Sequence, residues 1–338
     1  MRALALSLDL PYTWRMSHRI RVGIIQAAPV YLDLAATMEK LESLIRQGAA
    51  DGARVLACGE TWLTGYPTWL DHYPGAAFWN HDPVKDTFAR HRQNSIVVPG
   101  PETDRLAALT GELGVALVLG VNERVQSGPG NGTLYNSMLI FDGRGQLALH
   151  HRKLVPTYTE RIIWGPGDGH GLHSVATAAG RLSGLICWEH WMPLPRQALH
   201  ECGEDIHVAL WPTVHDIHQL ASRHYALEGR CFVLAVGLLM DSSHIPLDLG
   251  ERDDSRLLRG GSAIIAPDGR YVLEPTFDEE AILTAEIDLH EIDREAMTLD
   301  VTGHYARPDV LQLSVDRRRR SGSCVPSHED LPPGTDPA

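Results

Sequence analysis

Apolar positions along this chain fall either into short unbroken runs or into stretches with helical spacing. Residues 20–27 form a run of the first kind and read as a buried strand. Residues 32–50 carry apolar side chains at helical spacing through Leu41 and Ile45, and 55–58 is a second buried run. Strand, helix and strand in succession predict neighbouring strands in one sheet with the helix packed outside it. Helical spacing returns over 84–92 and 102–113, and 116–121 is the next strand. From Tyr135 the pattern changes, because 135–141 and 146–150 flank the turn Asp142-Gly-Arg-Gly145 and predict a hairpin.

Beyond a loop over 153–171 rich in Gly and Pro, Leu182, Leu185 and Ile186 mark a buried strand that delivers Cys187 to a sharp break ahead of Pro193, which can open a helix. Helices over 193–202 and 217–229, strands over 206–210 and 232–239, a hairpin around Pro267-Asp-Gly269, a strand over 281–287 and a short helix over 289–297 complete the pattern. Helices alternating with strands that include hairpins predict an α/β chain of mixed sheets. No internal break or repeat divides it, so one domain is expected over 18–316, with a disordered extension over 1–17 and a disordered tail over 317–338. Met16 is a second possible start.

Composition narrows the classes. Of 338 residues 43% are hydrophobic and 22% charged, as in an ordinary soluble globular protein. A net charge of -13 works against nucleic acid or an anionic membrane as partner. The one basic run, Arg317-Arg-Arg-Arg320, reads as part of a solvated tail. No apolar run approaches the ~20 residues that span a bilayer. Five cysteines without paired-ligand spacing point to a reduced compartment, and the cytoplasm is expected.

Two residues stand where α/β proteins hold their chemistry, at the C-terminal ends of strands. Cys187 ends one run and is expected there as a thiolate, favoured by nearby peptide N–H groups; free cysteine is also a common buried hydrophobe. Glu60 follows the run ending at Cys58 and opens an aromatic loop whose burial would raise its pKa toward a useful base. Lys153 and Glu160 follow the hairpin, and their spacing alone does not separate chemistry from a solvated face.

Three blocks decide that question. Gly59-Glu-Thr-Trp-Leu-Thr-Gly-Tyr-Pro67, then His151-Arg-Lys-Leu-Val-Pro-Thr157 with Glu160-Arg161 and Gly167-Asp-Gly169, then Leu185-Ile-Cys-Trp-Glu-His190, occur in the order and separation of the nitrilase family of carbon-nitrogen hydrolases. His224 with Glu228-Gly-Arg-Cys-Phe-Val233, and Gly303-His-Tyr-Ala-Arg-Pro-Asp-Val310, extend the resemblance over about 21–315. It implies a four-layer αββα sandwich and a Glu-Lys-Cys set of Glu60, Lys153 and Cys187. Glu160 would position lysine and substrate, and the backbone N–H of Trp188 would help Lys153 hold developing negative charge.

The resemblance also implies homodimers that assemble into spirals or filaments, and needs neither cofactor nor metal. Pro166, where many relatives carry an acidic residue, leaves that loop's contacts open. Cys-Trp-Glu-His resembles the branch acting on nitriles, so a small nitrile is the expected substrate and its carboxylic acid the product. Amidases and carbamoylases share the set and are the alternative. Trp62, Tyr66, Trp164 and Trp191, with Trp188, are candidates to line the substrate channel. A metal-dependent hydrolase built on His215-Asp-Ile-His218 or His150-His151 is a remote reading, since His-Glu-x-x-His is absent. A non-catalytic scaffold would require the set to be idle.

Overall fold

The computed structural model describes residues 19–128, 130–246, 249 and 255–320. The expected extension over 1–17, the tail over 321–338 and Cys324 lie outside the described residues.

The first half of the chain builds all but one strand of one sheet. Strand β1 (Arg19–Gln26) leads to helix α1 (Leu34–Ala50), β2 (Val55–Cys58), the single turn α2 (Trp69–His72), α3 (Asp82–Gln93), α4 (Pro101–Leu113), β3 (Ala116–Arg124), β4 (Leu134–Phe141) and β5 (Leu147–Arg152). The second half supplies β6 (Val175–Thr177), β7 (Gly180–Ile186), α5 (Pro193–His200), β8 (Ile206–Leu210), α6 (Asp216–Gly229), β9 (Phe232–Val236), β10 (Leu239–Asp241), β11 (Arg256–Ile265), β12 (Tyr271–Phe277), β13 (Ala281–Asp288) and α7 (His290–Ala296). The six-stranded sheet runs β13-β1-β2-β3-β4-β5, and the seven-stranded sheet runs β10-β11-β9-β8-β7-β6 with β12 beside β11. Each has a parallel centre, β1-β2-β3 and β7-β8-β9, with antiparallel edges. This is the mixed-sheet α/β class that the sequence predicts.

Why the halves stack follows from burial. The inner faces meet in one core that includes Val22, Ile24, Val118 and Ile140 from the first sheet and Leu182, Val208 and Leu234 from the second. Gly184 allows the closest approach, since a Cβ there would stand 2.6 Å from both Met138 Sδ and the Val208 carbonyl. Asp33 caps α1 through the Ala36 N–H, and Met38, Leu41 and Ile45 turn one stripe of it inward. That stripe joins Ile25, Leu56 and Leu119 in a second core on the first sheet's outer face. On the second sheet's outer side α6 buries Ala221, Ser222, Tyr225 and Ala226. Helix, sheet, sheet and helix make four layers.

Three regions depart from expectation. Residues 60–83 contain α2, and Trp62 and Trp69 are wholly buried, so this aromatic loop is part of the core. β6 and β10, three residues each, are too short to leave a period in the sequence. Residues 317–320, read as solvated tail, lie against the domain: Arg319 donates to the Asp168 carboxylate at 3.2 Å and to the His150 carbonyl, and the Arg320 N–H bonds Asp168 at 2.9 Å.

Candidate active site

Glu60, Lys153 and Cys187 all stand just past a strand's C-terminal end, after β2, β5 and β7. Gly120 makes room for the first, because a Cβ there would meet the Gly59 carbonyl at 2.2 Å and the Thr61 nitrogen at 2.5 Å. Thr61, at φ 49°, turns the chain away immediately. Cys187 itself is left-handed, φ 54°, and opens the 3-10 turn Cys187–Trp191. That strain in a non-glycine residue presents the thiol at the tip of a sharp bend.

The three meet in one buried cluster with Glu160. Lys153 Nζ donates to Glu60 Oε1 at 2.7 Å and to Glu160 Oε2 at 2.7 Å. Carboxylate oxygens of Glu60 and Glu160 and the Cys187 sulfur lie within 4.8 Å of one another. Glu160 caps its own turn, taking the Thr157 N–H at 2.7 Å, and accepts from the Tyr66 hydroxyl at 2.9 Å. Glu60 Oε1 also accepts from Asn136 Nδ2 at 2.6 Å, while Oε2 is buried without a partner. An acceptor held dry and unsatisfied is an expensive arrangement, and it leaves a lone pair free to take a proton. The Gly167 N–H closes the loop after Pro166 onto the Lys153 carbonyl at 2.8 Å, which settles the contact that the unusual proline left open.

Electrostatics set the protonation. Burial pushes the Glu60 carboxyl up to about 7, with Lys153 opposing and Glu160 adding to the rise. Burial works against the Lys153 ammonium, but Cys187, Glu60 and Glu160 outweigh it and hold its pKa well above the usual value. Burial and the Glu60 charge push the Cys187 thiol well up, against Lys153 and the Trp188 N–H. Against the expectation of a thiolate, burial first and the Glu60 charge second favour the thiol. A base that ionises near neutrality beside a thiol gives proton transfer coupled to attack.

A cavity of about 330 Å³ opens onto the cluster, lined by Tyr66, Thr157, Glu160, Cys187, Trp188, Thr213 and His218 among others. Trp188 is 52% exposed at its mouth. Trp62, Trp164 and Trp191 do not line it, a correction that packing explains. Buried indoles need an acceptor, and Trp62 bonds the Ala27 carbonyl at 2.7 Å while Trp164 bonds Asn122 Oδ1 at 3.1 Å. Trp191 packs between Trp188 and Trp211, with ring centroids 5.0 and 5.4 Å away. The candidate metal histidines are engaged elsewhere: His150 with Glu123, His151 with Glu189, and His218 with the His215 N–H.

Sequence reasoning missed two residues. Asn136 is a polar side chain inside the apolar run of β4, and that break in pattern is the signal that could have found it. Glu189 is fully buried, and its carboxylate takes the Leu154 N–H at 2.7 Å, the Ile186 N–H at 2.7 Å and His151 Nε2 at 3.0 Å. It joins the residue after the lysine to the residue before the cysteine, across the two sheets.

Comparison with known proteins agrees with this geometry. A family model described as carbon-nitrogen hydrolase matches residues 21–295. An aliphatic nitrilase of Sinorhizobium fredii is 42% identical over 314 residues, covering 90% of this chain and 97% of its own. A bifunctional nitrilase/nitrile hydratase, NIT4B of Nicotiana tabacum, is 39% identical over 305 residues, 88% of this chain and 86% of its own. Among solved structures, Saccharomyces cerevisiae Nit3, a member of branch 10 of the nitrilase superfamily, shares the fold with a TM-score of 0.66 at 19% identity, over 86% of this chain and 97% of its own. The family-model match over 21–295 and the 42% identity to the aliphatic nitrilase over 90% of the chain place the protein in the nitrilase family of carbon-nitrogen hydrolases.

Proposed function

We propose that the protein hydrolyses a nitrile to its carboxylic acid and ammonia through a covalent intermediate on Cys187. The buried Glu60–Lys153–Glu160–Cys187 cluster at the base of a cavity, with one Glu60 oxygen free, supports covalent hydrolysis at Cys187, and the observation that carries the choice of a nitrile is the 42% identity to an aliphatic nitrilase over 90% of the chain. Glu60 takes the thiol proton as sulfur attacks the nitrile carbon, and the nitrogen receives a proton as the thioimidate forms. Lys153 and the Trp188 N–H stabilise the charge that develops on the substrate. Water adds with Glu60 as base, ammonia leaves, and a thioester remains. A second water releases the acid and restores the thiol, so two waters are consumed per nitrile. Departure of ammonia is the step that separates acid from amide; expulsion of sulfur at that point would give the amide.

Tyr66 and Trp188 at the cavity give it an aromatic side suited to a small apolar or aryl substituent. The exposed apolar side chains Leu194, Ile217, Leu220 and Leu227 on α5 and α6 support association into a homodimer, testable by light scattering. No helix among the described residues is long and apolar enough to cross a membrane. Cys58, Cys187, Cys202 and Cys231 are free thiols, which supports the cytoplasm as location.

Ammonia release from a panel of aliphatic, aryl and arylacetonitriles, run beside the matching amides, tests the reading. Turnover of nitriles with a Cys187 adduct in the intact mass is expected. Turnover of amides alone would overturn it in favour of an amidase.

A further inference from the structure

Behind the nucleophile lies a second buried cluster that the reaction above does not use. His190 Nδ1 bonds the Cys187 carbonyl at 2.7 Å, and its Nε2 stands 3.0 Å from Nε2 of His207. His207 Nδ1 reaches Glu204 Oε2 at 2.9 Å. Glu204 also accepts from Ser183, from the Tyr225 hydroxyl and from His200 Nδ1 at 3.0 Å. The rings are shielded from water: His207 stacks on Tyr225 with centroids 3.7 Å apart, and Trp211 lies 4.7 Å from His190. At its far end the chain of groups reaches a cavity of about 170 Å³ lined by His200, Glu204, Glu228 and Arg230.

Donor accounting fixes the charge. A carbonyl only accepts, so His190 Nδ1 carries hydrogen. The Glu204 carboxylate requires one on His207 Nδ1. The two Nε2 atoms share a hydrogen bond only if one of them carries a third. Three hydrogens on four ring nitrogens make one ring an imidazolium, and Glu204 is its counter-ion. Burial lowers the pKa of both rings, His190 the further, and Glu204 works against that fall at His207, so the proton that the hydrogen bonds require rests on His207. Other charges facing the pair are His200, held between Glu204 and Glu228; Arg196, which donates to the His190 carbonyl at 3.0 Å; and Glu189 on the same turn.

The Cys187 carbonyl belongs to the same peptide unit as the Trp188 N–H, the backbone donor that favours the charged form of the Cys187 sulfur. Donation to a peptide's oxygen strengthens donation by its nitrogen. We propose that Glu204, His207 and His190 form a charged relay that grips the Cys187 carbonyl and polarises the Cys187–Trp188 peptide, so that its N–H holds the negative charge arising during attack. All three are positioning residues. Loss of the relay proton leaves two lone pairs facing each other, or makes His190 release the carbonyl.

Asparagine places its amide nitrogen near the position of histidine Nδ1. His207→Asn therefore keeps a donor to Glu204 and cuts the contact to His190, and His190→Asn keeps a neutral donor to Cys187 and cuts the contact to His207. In each, kcat is expected to fall about tenfold with KM within about twofold, and the pH profile of Cys187 alkylation by iodoacetamide to move about half a unit higher. The double variant should be little worse than either single one. A kcat within twofold of wild type with an unmoved alkylation profile would overturn the relay, because a packing role shifts no such profile. Where a variant does not fold, wild-type protein with 15N-labelled histidine decides: a coupling across the His190–His207 hydrogen bond near pH 7 supports the proposal, and its absence overturns it. The kcat arm rests on the nitrile reading, whereas the alkylation and coupling arms need no substrate. Wild type that alkylates normally yet turns over no nitrile would fail that reading and leave the relay standing.

Discussion

The cluster around Glu60 and the cluster around Glu204 are built from similar parts, buried carboxylates facing cations, yet they are finished differently. Glu204 has donors on both oxygens, from Ser183, His207, His200 and Tyr225. Burial opposes its charge, but His207 and His200 hold its pKa well below the carboxylate range, and its partner His200 is raised to about 9 by Glu204 and Glu228 against burial. Glu60 has one oxygen with two donors and one with none, and its pKa rises to about 7. A satisfied network holds a shape, and an unsatisfied one holds a reactive lone pair. Burial is common to both, so completeness of hydrogen bonding is what separates scaffold from chemistry.

Glu60→Gln gives the sharpest break of that comparison. It removes the base while its amide oxygen keeps Lys153 and Asn136 as donors, so kcat should fall by about 10² to 10⁴. The denaturation midpoint should stay level or rise, because a carboxyl held up at about 7 is one whose charge the fold disfavours. The wild-type kcat/KM should climb about tenfold per pH unit below 7 and level above it, since the base acts only when ionised. This acid limb should be absent from the variant. A limb that persists unchanged in Glu60→Gln would assign the base elsewhere.

Glu204→Gln should act the other way, on stability first. Removing the counter-ion leaves His207 buried without its carboxylate and His200 with Glu228 alone, and costs about 3–5 kcal/mol, read as a lower urea midpoint. If it unfolds no more easily than Glu60→Gln, the distinction between the clusters is wrong.

Much of the first cluster was legible along the chain, and most of the second was not. An apolar run ending at Cys58 put Glu60 past a strand, and a run ending at Ile186 put Cys187 at a turn, so period and punctuation sufficed. Lys153 and Glu160 needed the resemblance, because a strand-end lysine has no distinctive pattern. Asn136 was hidden because its partner Glu60 is far away in sequence. Trp62, Trp164 and Trp191 were misread because composition reports how many indoles there are, and only packing reports where the Trp62 and Trp164 N–H groups find acceptors and which rings Trp191 lies against. The preference for a thiol was not legible for a related reason: helix N-termini favour thiolates, but the sequence does not reveal that Cys187 is buried beside the Glu60 carboxylate. His190, His207 and Glu204 form a network only once β7, β8 and α6 are packed together.

Glu189 tests whether a satisfied carboxylate can still govern the chemistry through geometry. Its two oxygens take three N–H donors, from Leu154, Ile186 and His151. Glu189→Gln replaces one oxygen with an NH₂ that faces a donor, so one strand end is released by the ångström that separates good from poor alignment. A fall in kcat of about 10- to 100-fold is expected, with KM nearly unchanged. A KM effect without a kcat effect would instead make Glu189 a determinant of cavity shape.

Tyr66→Phe should have the smallest effect and asks where the boundary between the two kinds of carboxylate runs. Glu160 lies in the reactive cluster but is well bonded, with Lys153, the Thr157 N–H and the Tyr66 hydroxyl as donors. Removing the hydroxyl leaves the other two and keeps the ring against Trp164, 5.9 Å between centroids. Loss of one hydrogen bond of about 1 kcal/mol corresponds to a roughly fivefold drop. If that drop is in kcat, Glu160 acts by orienting Lys153 and the hydroxyl serves the cluster; if it is in KM, the hydroxyl faces substrate in the cavity that Tyr66 also lines. An activity loss above a hundredfold would mean that Glu160 is as finely balanced as Glu60, and that hydrogen-bond completeness alone does not mark the reactive group.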